Sequence, residues 1–184
     1  MNKIQEKINT CTLCGDLPKL SKQSVVYGKS KIIVIGESPA KNGWLASGNA
    51  FYDLNGKILA SGRVLEKLLD IVNLKISDIY FTECCKCLMV DRKQLEKCSQ
   101  NCLPFLIQQL NKLDCSIILT MGLMPSQTLL KTKIKKYSDF VGKPQNIKLG
   151  SKEYLLLPIY HPSPANPKGY KGNISIFEYL KTLI

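Results

Sequence analysis

Residues 31–44, KIIVIGESPAKNGW, decide the fold class: a short unbroken apolar run rich in β-branched residues ends on Gly36 and gives way at once to polar, turn-forming residues. A run of that length and composition suits a strand buried on both faces, the kind found in parallel sheets covered by helices. Three more follow, DIYFTE at 78–83, SIILTMG at 116–122 and YLLLPIY at 154–160. Pro158 lies inside the last one and has no N–H for a ladder, which predicts an edge position or an early end there.

Helical periodicity fills the intervals. Val64, Leu65, Leu68, Leu69 and Val72 recur at three- and four-residue steps behind Ser61 as a candidate cap. NCLPFLIQQLNKL, 101–113, predicts a second helix with Asn101 as cap, Pro104 in the first turn, and Phe105, Leu106, Leu110 and Leu113 largely on one side. MPSQTLLKT and ISIFEYLKTL supply two further short helices. Strands and helices therefore alternate, which predicts a three-layer α/β/α sandwich with a central, mostly parallel four-stranded sheet. Residues 1–184 are read as a single domain, the size at which one hydrophobic core suffices.

Twenty-six Lys and Arg against 14 Asp and Glu leave a formal charge of +12. Such a surface attracts polyanions, and nucleic acid, anionic membrane and acidic proteins all fit, as does a lysine-rich composition with no binding role. No stretch nears the ~20 apolar residues needed to span a bilayer, and MNKIQEKINT has no apolar core of the signal-peptide kind. An intracellular, cytoplasmic protein without membrane attachment is expected, and a monomer, since nothing signals oligomerisation.

In that compartment eight cysteines read as metal ligands or core thiols before disulfides. Cys11 and Cys14 form a CxxC ahead of the first strand, and two later cysteines can complete an all-thiolate site for an iron-sulfur cluster or a structural zinc. Cys87 and Cys102 are the chosen partners, because Cys102 is expected near a helix N-terminus whose free N–H groups stabilise a thiolate. Cys98 is the alternative to Cys102. Cys115, beside a strand, reads as an inert buried thiol, and Cys84 and Cys85 as either.

Open α/β sheets bind ligands where loops converge at the carboxyl ends of the strands. Here those loops are GESPAKNGW, ECCKC, MGLMPS and HPSPANPKG. His161, the sole histidine, stands at the start of the last one. A lone histidine is often structural, but this position, facing the GESP loop, favours a functional one.

With these residues in view, the chain resembles the iron-sulfur uracil-DNA glycosylases, families 4 and 5 of that superfamily. GESPA at 36–40 looks like their first motif, written GEAPG in family 4 and GEAPA or a close variant in family 5, and HPSP at 161–164 looks like their second. SGNAF, ending at Phe51, resembles the segment with the base-stacking Phe, and ASGRVLEKLL the helix after it. Lys86–Cys87 and CLPFLIQQL from Cys102 resemble the last two cluster cysteines and their helix, and SIILTMG resembles the strand that follows.

The resemblance implies an enzyme that binds DNA, extrudes a base and hydrolyses its N-glycosidic bond, most simply that of uracil. His161 and Glu37 are then the catalytic candidates. His161 stabilises charge growing on a pyrimidine oxygen, while Glu37 orients the water or accepts backbone N–H bonds of its loop. Gly36, Ser38, Phe51, Glu83 and Ser163 are the substrate-binding candidates, with Lys168 and Lys171 beside the phosphates. Cys11, Cys14, Cys87 and Cys102 would hold a [4Fe-4S] cluster that packs the CxxC segment against the domain, zinc being the other metal considered.

One position departs from the family. Where it has Asn in a TN pair reading the uracil edge, this chain has Thr82 and Glu83. An amide donates and accepts, whereas an ionised carboxylate only accepts. Another deaminated base, a Glu83 outside the pocket, or a silent nucleic-acid-binding member are the readings this change leaves open.

Overall fold

The computed structural model describes residues 1–184. In chain order its elements are α1 (Asn2–Asn9), β1 (Val25–Val26), β2 (Ile32–Gly36), α2 (Trp44–Ser47), α3 (Ala60–Leu69), β3 (Tyr80–Glu83), α4 (Leu95–Lys112), β4 (Ile117–Met121), α5 (Leu123–Leu130), β5 (Gln145–Leu149), β6 (Lys152–Ile159) and α6 (Ile174–Lys181). The six strands form one sheet in the order β1-β3-β2-β4-β6-β5.

All four apolar runs are strands, and they form the continuous parallel centre β3-β2-β4-β6. Side chains alternate across it as the pleat requires. Ile32, Val34, Ile117, Leu119, Leu157 and Ile159 face α3 and α6. Ile33, Ile35, Ile118 and Leu156 face α4 and α5. Helices thus cover both faces, giving the α/β/α sandwich expected, but around six strands rather than four.

The two extra strands are antiparallel edges. β1 is only two residues long, too short for any periodicity to announce it. β5 alternates polar and apolar residues, QNIKL, with only Leu149 buried, and so lacks the apolar run that marks the inner strands. Pro158 is not on an edge strand, because β6 lies between β4 and β5. It falls beyond Leu156, the last β6 residue that β5 pairs, so its missing N–H faces no ladder.

Two helix starts differ from expectation. α3 begins at Ala60 after Leu59 and has no side-chain cap, so Ser61 lies within the first turn. α4 begins at Leu95, six residues before Asn101. The start signal is Asp91, whose carboxylate accepts from Lys93 N at 2.9 Å and caps a short 3-10 turn that runs into the helix. Pro104 is consequently inside α4 and removes one i→i−4 bond there. Asn101 caps nothing; its amide donates to Leu13 O at 3.2 Å and Cys14 Sγ at 3.4 Å.

Candidate active site

The chain leaves β2 for β3 on one side and later returns to β4 on the other, so the strand order reverses at β2. A crevice at the carboxyl ends of such a pair is the expected ligand position. A cavity of about 650 Å³ opens there, lined by Gly36 and Glu37 after β2, Glu83 at the end of β3, Gly122 after β4, His161 after β6, and Phe51. Ser38 lies on the same wall. A second hollow, of about 580 Å³, lies near the amino end of β4 and holds none of these residues.

Of the predicted substrate-binding and catalytic residues, Ser163 alone is absent from the cavity wall. Its role is within the loop. Ser163 N donates to His161 O at 2.8 Å, its carbonyl accepts from Asn166 N at 2.9 Å, and its hydroxyl accepts from Ala165 N at 3.3 Å. Gly169 closes the turn, since a Cβ there would stand 2.7 Å from Ser163 O and 2.9 Å from His161 O. Asn173, fully buried, accepts from Tyr160 N at 2.9 Å and donates to Tyr160 O at 2.8 Å. His161 therefore leaves β6 from a backbone anchored on both sides. Lys168 places its ammonium 5.4 Å from the Tyr160 ring centroid, beside the same loop.

His161 is solvent-exposed at the cavity mouth, yet enough protein surrounds its ring to lower its pKa by desolvation, with the Glu37 carboxylate opposing the shift. The imidazole is thus biased to the neutral form, which keeps one N–H donor and one acceptor. Phe51 is buried and meets Phe81 edge-on, ring centroids 4.6 Å apart. Its N–H donates to Asn49 Oδ1 at 3.0 Å and its carbonyl accepts from Leu59 N at 2.8 Å, which fixes one aromatic wall.

The two carboxylates on the wall live in opposite surroundings. Glu37 receives two parallel bonds from Arg92, at 2.9 and 3.1 Å, and its side chain is 27 % exposed. Arg92 also lines the cavity, a residue that sequence reasoning missed because its partner lies 55 positions away. Glu83 is buried and its Oε2 has no hydrogen-bond partner. That oxygen sits directly over Gly36, where a Cβ would collide with it. Burial pushes the Glu83 carboxyl up to about 8, with Lys86 pulling down and Glu37 adding to the rise. Lys86, itself buried and lowered to about 8 by that burial, does not pair with the carboxylate. Its ammonium donates to Thr82 Oγ1 at 2.7 Å and to the Glu83 carbonyl.

On the far side of the Glu83–Cys87 loop, Cys85, Cys98 and Cys102 pack with Leu95, and Cys14 and Met89 close over them. Cys102 lies in mid-helix, so its thiolate is not stabilised by a helix N-terminus; Cys98 is the cysteine in the first turn of α4. The Cys98 thiol instead draws the Cys102 thiol down to about 6, and Lys86 N donates to Cys102 Sγ at 3.3 Å. Cys98, donating toward Cys102, Cys85 and Cys87, holds its proton and is pushed far up. The Cys87 thiol is lowered, first by Cys98. Cys11 joins this corner through its carbonyl, which accepts from Lys19 Nζ at 2.7 Å, and Lys19 in turn bridges the backbone of Cys87. Cys84 and Cys115 are core thiols raised by burial to about 12 and about 11. No three His, Cys, Asp or Glu residues form a ready-made single-ion site.

Comparison with known proteins agrees with this geometry. The family described as the uracil DNA glycosylase superfamily matches residues 24–181. A type-4 uracil-DNA glycosylase of Archaeoglobus fulgidus is 26 % identical over 177 residues, covering 89 % of this chain and 81 % of the relative. Those of Pyrobaculum aerophilum (27 %, covering 89 % and 83 %) and Saccharolobus solfataricus (26 %, covering 90 % and 76 %) are similar to it over comparable spans. With both cavity-lining loops and most of the core inside the matched span, the chain belongs to the uracil DNA glycosylase superfamily.

Proposed function

We propose that this protein is a DNA repair glycosylase that hydrolyses the N-glycosidic bond of uracil flipped out of DNA. The observation that carries the reading is the convergence of Gly36, Glu37, Phe51, Glu83 and His161, from four separate chain segments, on one cavity. The names of the similar type-4 enzymes support the same chemistry. Phe51 offers the face on which a base stacks. His161, biased to the neutral form, donates an N–H toward the pyrimidine oxygen on which charge grows as the bond to the sugar breaks. Glu37 orients the water that captures the sugar, with Arg92 holding its carboxylate in place. Cationic side chains beside the His161 loop, Lys168 and Lys171 among them, contact phosphates. Ser163 serves as a support of the His161 turn rather than as a base contact.

The thiol corner fits an iron-sulfur cluster. Its donor set is sulfur throughout, and Lys86 N and the Asn101 amide direct N–H groups at the Cys102 and Cys14 sulfurs, as sulfur ligands of clusters commonly require. Cys11, Cys14, Cys87 and Cys102 would hold a [4Fe-4S] cluster, whose iron–thiolate bonds would fasten the N-terminal segment to α4 and the Glu83–Cys87 loop. Zinc in the same thiols is the competing occupant, and iron content with broad visible absorption in anaerobic protein separates the two.

The test is a single-stranded oligonucleotide carrying one uracil, incubated with the protein and treated with alkali. Strand scission at the uracil is expected; a mobility shift without scission would replace the glycosylase by a DNA-binding protein.

A further inference from the structure

The floor of the cavity carries an unexplained group. Glu83 is 6 % exposed, its Oε2 has no partner, and neither neighbouring cation neutralises it: Lys86 bonds to main-chain and hydroxyl oxygens, and Arg92 is taken by Glu37. A buried carboxylate without a counter-charge is costly, and protonation is the ordinary escape. A neutral carboxyl has one O–H donor and one carbonyl acceptor side by side, whereas the ionised group has acceptors only.

We propose that Glu83 reads the extruded base as the neutral acid, donating O–H to a ring carbonyl oxygen and accepting the adjacent ring N–H. The proposal rests on the glycosylase reading above and narrows its substrate class. The complementary edge is a lactam, –CO–NH–, which hydrolytic deamination creates in uracil from cytosine and in hypoxanthine from adenine. An ionised Glu83 would repel that carbonyl oxygen and would instead match an edge with two adjacent donors. Gly36 is what allows the carboxyl to lie flat on the floor, since any side chain there would displace it.

The other charged or titratable groups around Glu83 are Lys86 in the loop after β3 and, nearer the rim, Glu37 after β2, Arg92 before α4 and His161 after β6; Met121 and Gly122 on the β4 side bring none. Glu83→Gln is therefore the discriminating variant, because its amide keeps a donor beside an acceptor and cannot ionise.

The experiment follows release of free base from uracil and hypoxanthine oligonucleotides between pH 6 and 9.5, for the native protein and Glu83→Gln, with infrared difference spectra of the native protein over the same range. Native kcat/KM for uracil should fall about tenfold per pH unit above about 8, while Glu83→Gln stays within about tenfold of native at pH 7 and level above pH 8. A parallel fall in Glu83→Gln, or native activity rising through pH 8, overturns the proposal. A folded Glu83→Gln with no uracil release overturns it too. The infrared arm stands even where the variant does not fold: a protonated carboxyl band is expected at pH 7 and lost by pH 9.5, and its absence at pH 7 overturns the proposal. No base release from the native protein at any pH, with that band present, would remove the glycosylase reading and the base-reading role with it, leaving only a buried neutral acid.

Discussion

The rim and the floor of the cavity each carry a glutamate, and the two differ in everything except residue type. Glu37 on the rim is partly hydrated and accepts two bonds from Arg92. Glu83 on the floor is out of water and in no salt bridge, and burial pushes its carboxyl up to about 8 against the pull of Lys86. Pairs of carboxyl groups whose surroundings push their protonation apart are how one site performs acceptor and donor work together. The lesson is that the chemical role of each glutamate comes from what lies within one side chain's length of it.

The strongest way to break this contrast is to remove the donor that shares the cavity with both glutamates. His161→Ala is expected to lower kcat by about 10² to 10³, the usual effect of losing one donor to a developing anion, with the melting temperature nearly unchanged because the ring is exposed. A drop below tenfold in single-turnover assays would move the main stabilisation elsewhere.

Next in size is the floor itself. Gly36→Ala adds a Cβ against Glu83 Oε2, the far end of a side chain, so the carboxyl is expected to swing off the floor: base release is lost, with a destabilisation of only about 1 kcal/mol in urea denaturation. Unchanged activity would mean that the carboxyl has no role on the floor.

A pH series sharpens the floor without any activity. Glu83 has a folded-state pKa above its unfolded value, so the folded state holds more protons between about 4.5 and about 8. The stability this uptake contributes is complete at low pH and is lost as pH rises through that window. Thermal melts should therefore show the native protein losing ground to Glu83→Gln from pH 5 to 8 and keeping a constant gap above. A gap independent of pH would contradict a protonated floor.

The smallest effect belongs to the rim. Arg92→Ala breaks an ion pair whose arginine side is 74 % exposed, and stability should change by no more than about 1 kcal/mol. If Arg92 positions Glu37, kcat should fall while KM for DNA stays level, and Arg92→Lys should restore only part of it, since a lysine cannot make the paired bonds.

The same distinction explains how much could be read from sequence. Gly36, Glu37, Glu83 and His161 were legible as residues at strand ends, because the apolar runs placing those ends are long enough to show their period, whereas Phe51, between α2 and α3, was legible only through the resemblance of SGNAF to a family segment. β1 and β5 were not, one being too short and the other too polar to stand out from loop. The start of α4 was misplaced because Asp91 caps a 3-10 turn that has no apolar period of its own. Arg92 and Asn173 act on residues 55 and 13 positions away through contacts that no local pattern encodes. For Cys102 the neighbours were misjudged: a thiol on the preceding helical turn and a backbone N–H do what a helix terminus was expected to do.

The central claim is that the cavity at the strand ends removes a base. Mass spectrometric detection of free uracil, released from a uracil-containing oligonucleotide in step with abasic sites, tests it most directly. Native protein should release one uracil per abasic site and His161→Ala about 10² to 10³ times more slowly. An intact oligonucleotide, bound but unaltered after prolonged incubation with native protein, would contradict it.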